Sequence, residues 1–79
     1  MNVYEERVIK IIAEKLGLSE DVLVNDASFV SDLGADELDV SEMITALEKF
    51  GNIELSDAQA AKITTVQAAL DAFGHPYTR

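Results

Sequence analysis

The chain has 79 residues, no cysteine, and six Lys and Arg against fifteen Asp and Glu, giving a formal net charge of −9 and a pI near 4.2. A chain this short forms one domain with one modest core, burying only about 60% of the surface its unfolded form exposes. Without cysteine, neither disulfides nor thiolate–metal sites are available to hold the fold, and nucleic acid or an anionic membrane would be repelled by the charge.

The first residues, Met1 to Glu6, lack the basic start and apolar stretch of a signal peptide. No apolar run approaches transmembrane length. The expectation is a soluble, cytoplasmic, monomeric protein with an ordered bundle over about 4–73 and a loose tail over 74–79.

In chain order, Tyr4, Val8, Ile11, Ile12 and Leu16 recur at helical spacing, and Gly17 stands where a C-terminal glycine belongs. The stretch 17–35 is rich in Ser, Asp, Asn and Gly, with Val22, Phe29, Val30 and Leu33 set into it. A loop of that length is unusual in so small a domain, so these apolar residues are expected to pin it over the core. A one-turn helix is expected near Ser19–Val22, capped by Ser19.

Asp36 is a good N-cap for a second helix, with Glu37 and Asp39 in the first turn where carboxylates suit the positive end of the helix dipole. Met43, Ala46, Leu47 and Phe50 form its apolar stripe, and Gly51-Asn52 ends it. A brief third helix is predicted around Ser56–Ala61, capped by Ser56 or Asp57. The last helix opens at Thr64-Thr65-Val66-Gln67, a capping-box pattern in which Gln67 reaches back to the Thr64 backbone. Val66, Ala69, Leu70 and Phe73 line its inner side, and Gly74 and Pro76 stop it. Nothing alternates with period two, so no sheet is expected. The pattern predicts an all-α fold: a small four-helix bundle of three longer helices and one short one, with a long loop between the first and second.

The charge is unevenly spread. Residues 1–16 carry three acids and three bases, as do residues 49–79. Residues 17–48 hold Glu20, Asp21, Asp26, Asp32, Asp36, Glu37, Asp39, Glu42 and Glu48 with no Lys or Arg, so the whole net charge lies there. It reads either as a solvated face aiding solubility or as a docking surface for basic partners. The balanced remainder of the chain favours docking.

Enzymatic constellations are nearly absent. The one histidine, His75, stands in the tail, and nucleophilic catalysis lacks both a thiol and a positioned base. A general-acid pair of carboxylates needs a cleft to separate their pKa values, and a bundle this small offers little. Asp32, Asp36 and Asp39 have no EF-hand spacing, so no metal site is expected. The chain reads as a non-enzyme.

Several segments carry a family resemblance: Glu5-Glu6-Arg7-Val8, Ala27-Ser28-Phe29-Val30, Asp32-Leu33-Gly34-Ala35-Asp36, Leu38-Asp39, and Lys62-Ile63-Thr64-Thr65-Val66-Gln67-Ala68-Ala69. In order and spacing, from about Tyr4 to Phe73, the chain resembles a bacterial acyl carrier protein. The resemblance implies a four-helix bundle whose second helix presents acids to basic patches of fatty-acid and polyketide synthesis enzymes. It also implies an acyl chain riding on a phosphopantetheine arm and retreating into the core between the helices. Phe29, Met43, Leu47, Ile63 and Ala69 read as plain core that could also hold a free fatty acid, although without a tether nothing delivers one.

One position departs from that pattern. The family attaches its arm to the serine of Asp-Ser-Leu, and here the triplet is Asp36-Glu37-Leu38. A carboxylate would give a mixed anhydride that water cleaves, so no phosphopantetheine is expected on Glu37. Ser41, Ser28 and Ser31 do not supply the helix start that the modifying enzyme reads. The positions matching Ser41 and Thr45 are usually apolar in the family; hydroxyls there weaken the anchor of a docking face. The acids Asp36, Asp39, Glu42 and Glu48 match the family's partner-contacting acids, with Leu38 beside them.

Glu37 itself stabilises a helix start by about 0.3–1 kcal/mol, and its single charge resembles that of the missing phosphodiester. The leading reading is thus an acyl-carrier-like module that carries nothing and serves in acidic docking or regulation. The alternative is a genuine acyl carrier protein of fatty-acid biosynthesis whose serine has been replaced, naturally or by engineering, to give a permanently apo form.

Overall fold

In the computed structural model of the chain, which describes residues 1–76, the first helix α1 spans Val3–Leu16. Its start is fixed by Asn2, whose Oδ1 accepts the Glu5 N–H at 2.8 Å while the Glu5 carboxylate accepts the Asn2 N–H at 2.9 Å. This reciprocal capping box satisfies two backbone donors that the helix itself leaves unpaired. Gly17 ends α1 at φ 67°, a left-handed conformation that costs glycine nothing sterically.

The buried side of α1 is Val8, Ile9, Ile12 and Ala13. It is rotated from the predicted stripe: Tyr4 is exposed, and Ile11 and Leu16 are half-buried. The reason is that α1 packs against two helices at once, so its buried arc centres between them.

The connection from α1 contains a 3₁₀ turn, Glu20–Val22, capped as predicted by Ser19, whose Oγ accepts the Asp21 N–H. Two of the four side chains expected to pin this loop do so: Phe29 is buried and Leu33 is half-buried against the core. Leu23, Ala27, Phe29 and Ala35 are buried, whereas Val22 is 46% and Val30 61% exposed. The loop is sutured to a distant part of the chain: Phe29 N donates to Thr64 O at 3.0 Å, Val66 N to Ala27 O at 3.1 Å, and Gln67 N to Asn25 O at 2.8 Å. One antiparallel bridge, Ser28 to Thr65, belongs to this suture. These bonds decide which loop residues face inward.

The second helix, α2, spans Glu37–Gly51 and buries Met43, Ile44 and Leu47. Ala46 and Phe50 are half-buried, so Ile44 replaces them at the centre of the stripe. Asn52 caps its end at φ 55°. The short α3 (Asp57–Ala60) is capped by Ser56 in a box with Gln59.

The last helix, α4 (Val66–Phe73), buries Val66, Ala69, Leu70 and Phe73 as predicted. Its cap differs from the expected one. Thr65 Oγ1 accepts the Ala68 N–H at 3.1 Å, and Gln67 does not reach back to Thr64. Instead Asn25 Nδ2 donates to Gln67 Oε1 at 2.7 Å, and Gln67 Nε2 donates to Asp71 Oδ1 at 2.8 Å. Gln67 thus ties α4 to the loop.

Order also extends past Phe73: Gly74 is buried, its N–H donates to Leu70 O, and its carbonyl accepts Asn2 Nδ2 at 3.2 Å. Of the tail expected to be loose, residues 77–79 lie outside the described residues.

The architecture is the predicted one: an all-α four-helix bundle with three longer helices and one short one. α1 lies on α2 and α4, and α2 on α4. Phe29, Phe73, Ile12, Met43, Leu47, Val8 and Val66 are its largest fully buried side chains. The radius of gyration, 11.3 Å, matches the roughly 11.6 Å of a compact chain of this length. Among the described residues no helix is long and apolar enough to cross a membrane.

Candidate functional site

The start of α2 is built from the loop inward. Phe29, 1% exposed, anchors the turn 28–35 in the core, and Ala35 N closes it by donating to Phe29 O at 2.9 Å. Within the turn, Asp32 Oδ2 accepts the Ser28 N–H at 2.7 Å and Ser28 Oγ accepts the Ser31 N–H at 3.1 Å. Gly34 supplies the positive φ, 73°, that redirects the chain into the helix.

Asp36 then caps α2. Its Oδ1 accepts the Asp39 N–H at 2.8 Å, and Asp39 Oδ2 accepts the Asp36 N–H at 3.3 Å. Two of the four carboxylates expected as partner contacts therefore also hold the helix start together. Glu37 follows as the first residue of α2, exposed and outside that box, and Leu38 beside it is 66% exposed. A large apolar side chain with that exposure, flanked by acids, is the chemistry of a small anchor within a charged rim.

Further along, Ser41, Glu42 and Thr45 are exposed, and Thr45 Oγ1 donates to Ser41 O at 3.0 Å. This back-bond turns the Thr45 hydroxyl toward its own helix. Lys15 of α1 joins Ser41, Glu42 and Thr45 around one shallow surface depression, so a cation borders the acidic face on this side.

Glu48 has a role that the sequence did not disclose: its Oε2 accepts the Leu55 N–H at 2.7 Å and fastens the segment after α2. Its signal is invisible to helical spacing because the bonded partner lies outside the helix. Asp32, Asp36 and Asp39 each accept a backbone N–H, and the described residues contain no group of three or more His, Cys, Asp or Glu able to hold a metal ion.

The residues expected near an acyl chain, Phe29, Met43, Leu47, Ile63 and Ala69, all belong to the one hydrophobic core. Ile63 also walls an open groove of about 380 Å³ between α3 and α4, with Leu55, Gln59, Lys62 and Ala68. Asp36 caps α2 and the other predicted docking residues lie on it, while the predicted apolar residues come from the loop, α2, the segment after α3 and α4 and meet in the core.

A family model described as a phosphopantetheine attachment site matches residues 6–73, from α1 through the end of α4. The chain belongs to this family. A solved structure, described as "a putative acyl carrier protein" from Mycobacterium tuberculosis, is similar at 30% identity and a TM-score of 0.76, covering 85% of this chain and 89% of that one. Membership makes this an acyl-carrier-type domain, a class of carrier proteins and not of catalysts.

Proposed function

We propose that this acyl-carrier-type domain carries no phosphopantetheine arm and works as an acidic docking or regulatory module, meeting basic surfaces of fatty-acid or polyketide synthesis enzymes in the cytoplasm as a monomer. The observation that carries this reading is Glu37 at the first position of α2. Phosphopantetheine does not fit there: the arm needs a hydroxyl to form a stable phosphodiester, and a carboxylate offers only a hydrolysable anhydride. The neighbouring hydroxyls are no substitute, since Ser28 accepts a backbone bond within the turn and Ser41 stands beyond the first turn of the helix.

Docking by charge remains supported. Glu37 and Glu42 are exposed around Leu38, while Ser41 and Thr45 provide no apolar anchor. Contacts of that kind are fast, shallow and salt-sensitive.

The experiment is incubation with coenzyme A and a phosphopantetheinyl transferase, followed by intact-mass measurement. The mass stays unchanged if the proposal is right, and a stoichiometric gain of the arm refutes it. The second reading, a genuine carrier of fatty-acid biosynthesis held in a permanently apo form, is favoured by the intact capping box of Asp36 and Asp39 on either side of Glu37. Glu37→Ser distinguishes the two. Rapid modification and acylation of that variant supports the apo carrier, and a folded variant that is still refused supports the docking module.

A further inference from the structure

We propose that the groove between the start of α1 and the end of α2 binds a free anionic amphiphile, an alkyl chain bearing one carboxylate, independently of any arm on α2. The groove is open, about 440 Å³ in volume, and is lined by Val3, Tyr4, Glu6, Arg7, Lys10 and Phe50. That volume falls within the range of roughly 300–1,000 Å³ found for small-molecule sites. Its apolar part is open to solvent: Val3 is 71% and Tyr4 38% exposed. The Tyr4 and Phe50 rings, with centroids 6.5 Å apart and planes tilted by 51°, form one wall from two helices.

The head group is specified by charge. Arg7 and Lys10 lie three residues apart on α1 and so share a face. A guanidinium grips a carboxylate through two parallel N–H donors, with the ammonium as a second point charge. Glu6 joins the same lining and offsets one of the two cations, leaving a local charge suited to a single anion.

The remainder of the molecule selects the source. A net charge of −9 repels a polyanionic lipid surface in proportion to the product of the two charges. A monovalent solute feels little of that, because charges beyond about 8 Å are screened at physiological ionic strength. The ligand is therefore a free monomeric amphiphile and not a membrane.

Titration of the full chain with decanoate, below its micellar concentration, tests this by amide chemical shifts. Saturable shifts over residues 3–10 and around Phe50 are expected. Decanol should bind at least fivefold more weakly, as should decanoate to the Arg7→Gln/Lys10→Gln variant. Val3→Ser, at an exposed position that the fold does not need, should weaken decanoate about twofold or more. Anionic phosphatidylglycerol vesicles should not sediment the protein. Equal affinity for decanoate and decanol overturns the proposal. So do shifts centred on Phe29, Met43 and Leu47, co-sedimentation with vesicles, or ligand-free self-association that covers Tyr4.

Discussion

The two ends of α2 spend their carboxylates differently. At the start, Asp36 and Asp39 are consumed by reciprocal backbone bonds, while Glu37 and Glu42 stand exposed beside Leu38. Toward the end, Glu48 is half-buried and holds Leu55 N–H, and the neighbouring Lys49 carries the opposite charge. A carboxylate bonded to backbone keeps its charge and its second oxygen, so these acids can serve the fold and a partner at once, but replacing them disturbs the fold as well. Only the unbonded acids, Glu37 and Glu42, can be replaced to probe docking at little cost to the fold. The following substitutions test that division.

The largest effect is expected where the start of α2 depends on the core. Phe29→Ala removes a fully buried ring that anchors the turn ending in Ala35, and such truncations cost about 3–5 kcal/mol. A domain of this length has only about 4–12 kcal/mol of stability in total, at roughly 0.05–0.15 kcal/mol per residue. Urea denaturation should show at least about a quarter of that stability lost. A loss below about 1 kcal/mol would mean that the turn is held by its hydrogen bonds alone.

Next is the far end of the helix. Glu48→Ala leaves the half-buried segment after α2 without an acceptor for Leu55 N–H, which costs about 1–3 kcal/mol for an unsatisfied donor. Glu48→Gln retains an acceptor and should recover most of the loss. If Gln were as damaging as Ala, charge rather than the hydrogen bond would be what holds the segment.

What the sequence disclosed here, and what it hid, follows the range of each interaction. The capping residues Ser19, Asp36 and Ser56, and the terminating Gly17, act within a few residues and were readable as patterns. The box of Asn2 and Glu5 was equally local, and its Asn-x-x-Glu spacing was a signal that apolar periodicity passed over. By contrast, Leu23, Ala27 and Ala35 are buried because the loop is bonded to residues 64–67, and nothing in the loop itself marks them. Gln67 misled for the same reason: a local capping pattern lost to a partner, Asn25, that only the tertiary fold brings near. At the site, the exposed position of Glu37 and the core positions of Phe29, Met43 and Leu47 were legible. The structural duty of Glu48 was not, because its bond leaves the helix.

Asp36→Ala should fall below Glu48→Ala in effect, at about 1 kcal/mol, the usual loss for an aspartate N-cap. Hydrogen exchange would localise the damage to the first turn of α2. Uniform acceleration across the bundle would show instead that the cap supports the whole core.

The smallest effect should come from Glu37→Gln. Glu37 lies outside the capping box, so its charge acts on the helix only through the dipole, an interaction of about 0.3–1 kcal/mol that salt screens. The expected loss is at the lower end of that range and should vanish in molar salt, while binding to a basic partner enzyme weakens and its salt dependence becomes shallower. That pairing of a negligible folding effect with a measurable docking effect is what separates Glu37 from Asp36 one residue earlier. If Glu37→Gln instead destabilised the domain as much as Asp36→Ala and left docking untouched, the glutamate would be a helix-stabilising residue. The acidic face would then have to be carried by Glu42 without it.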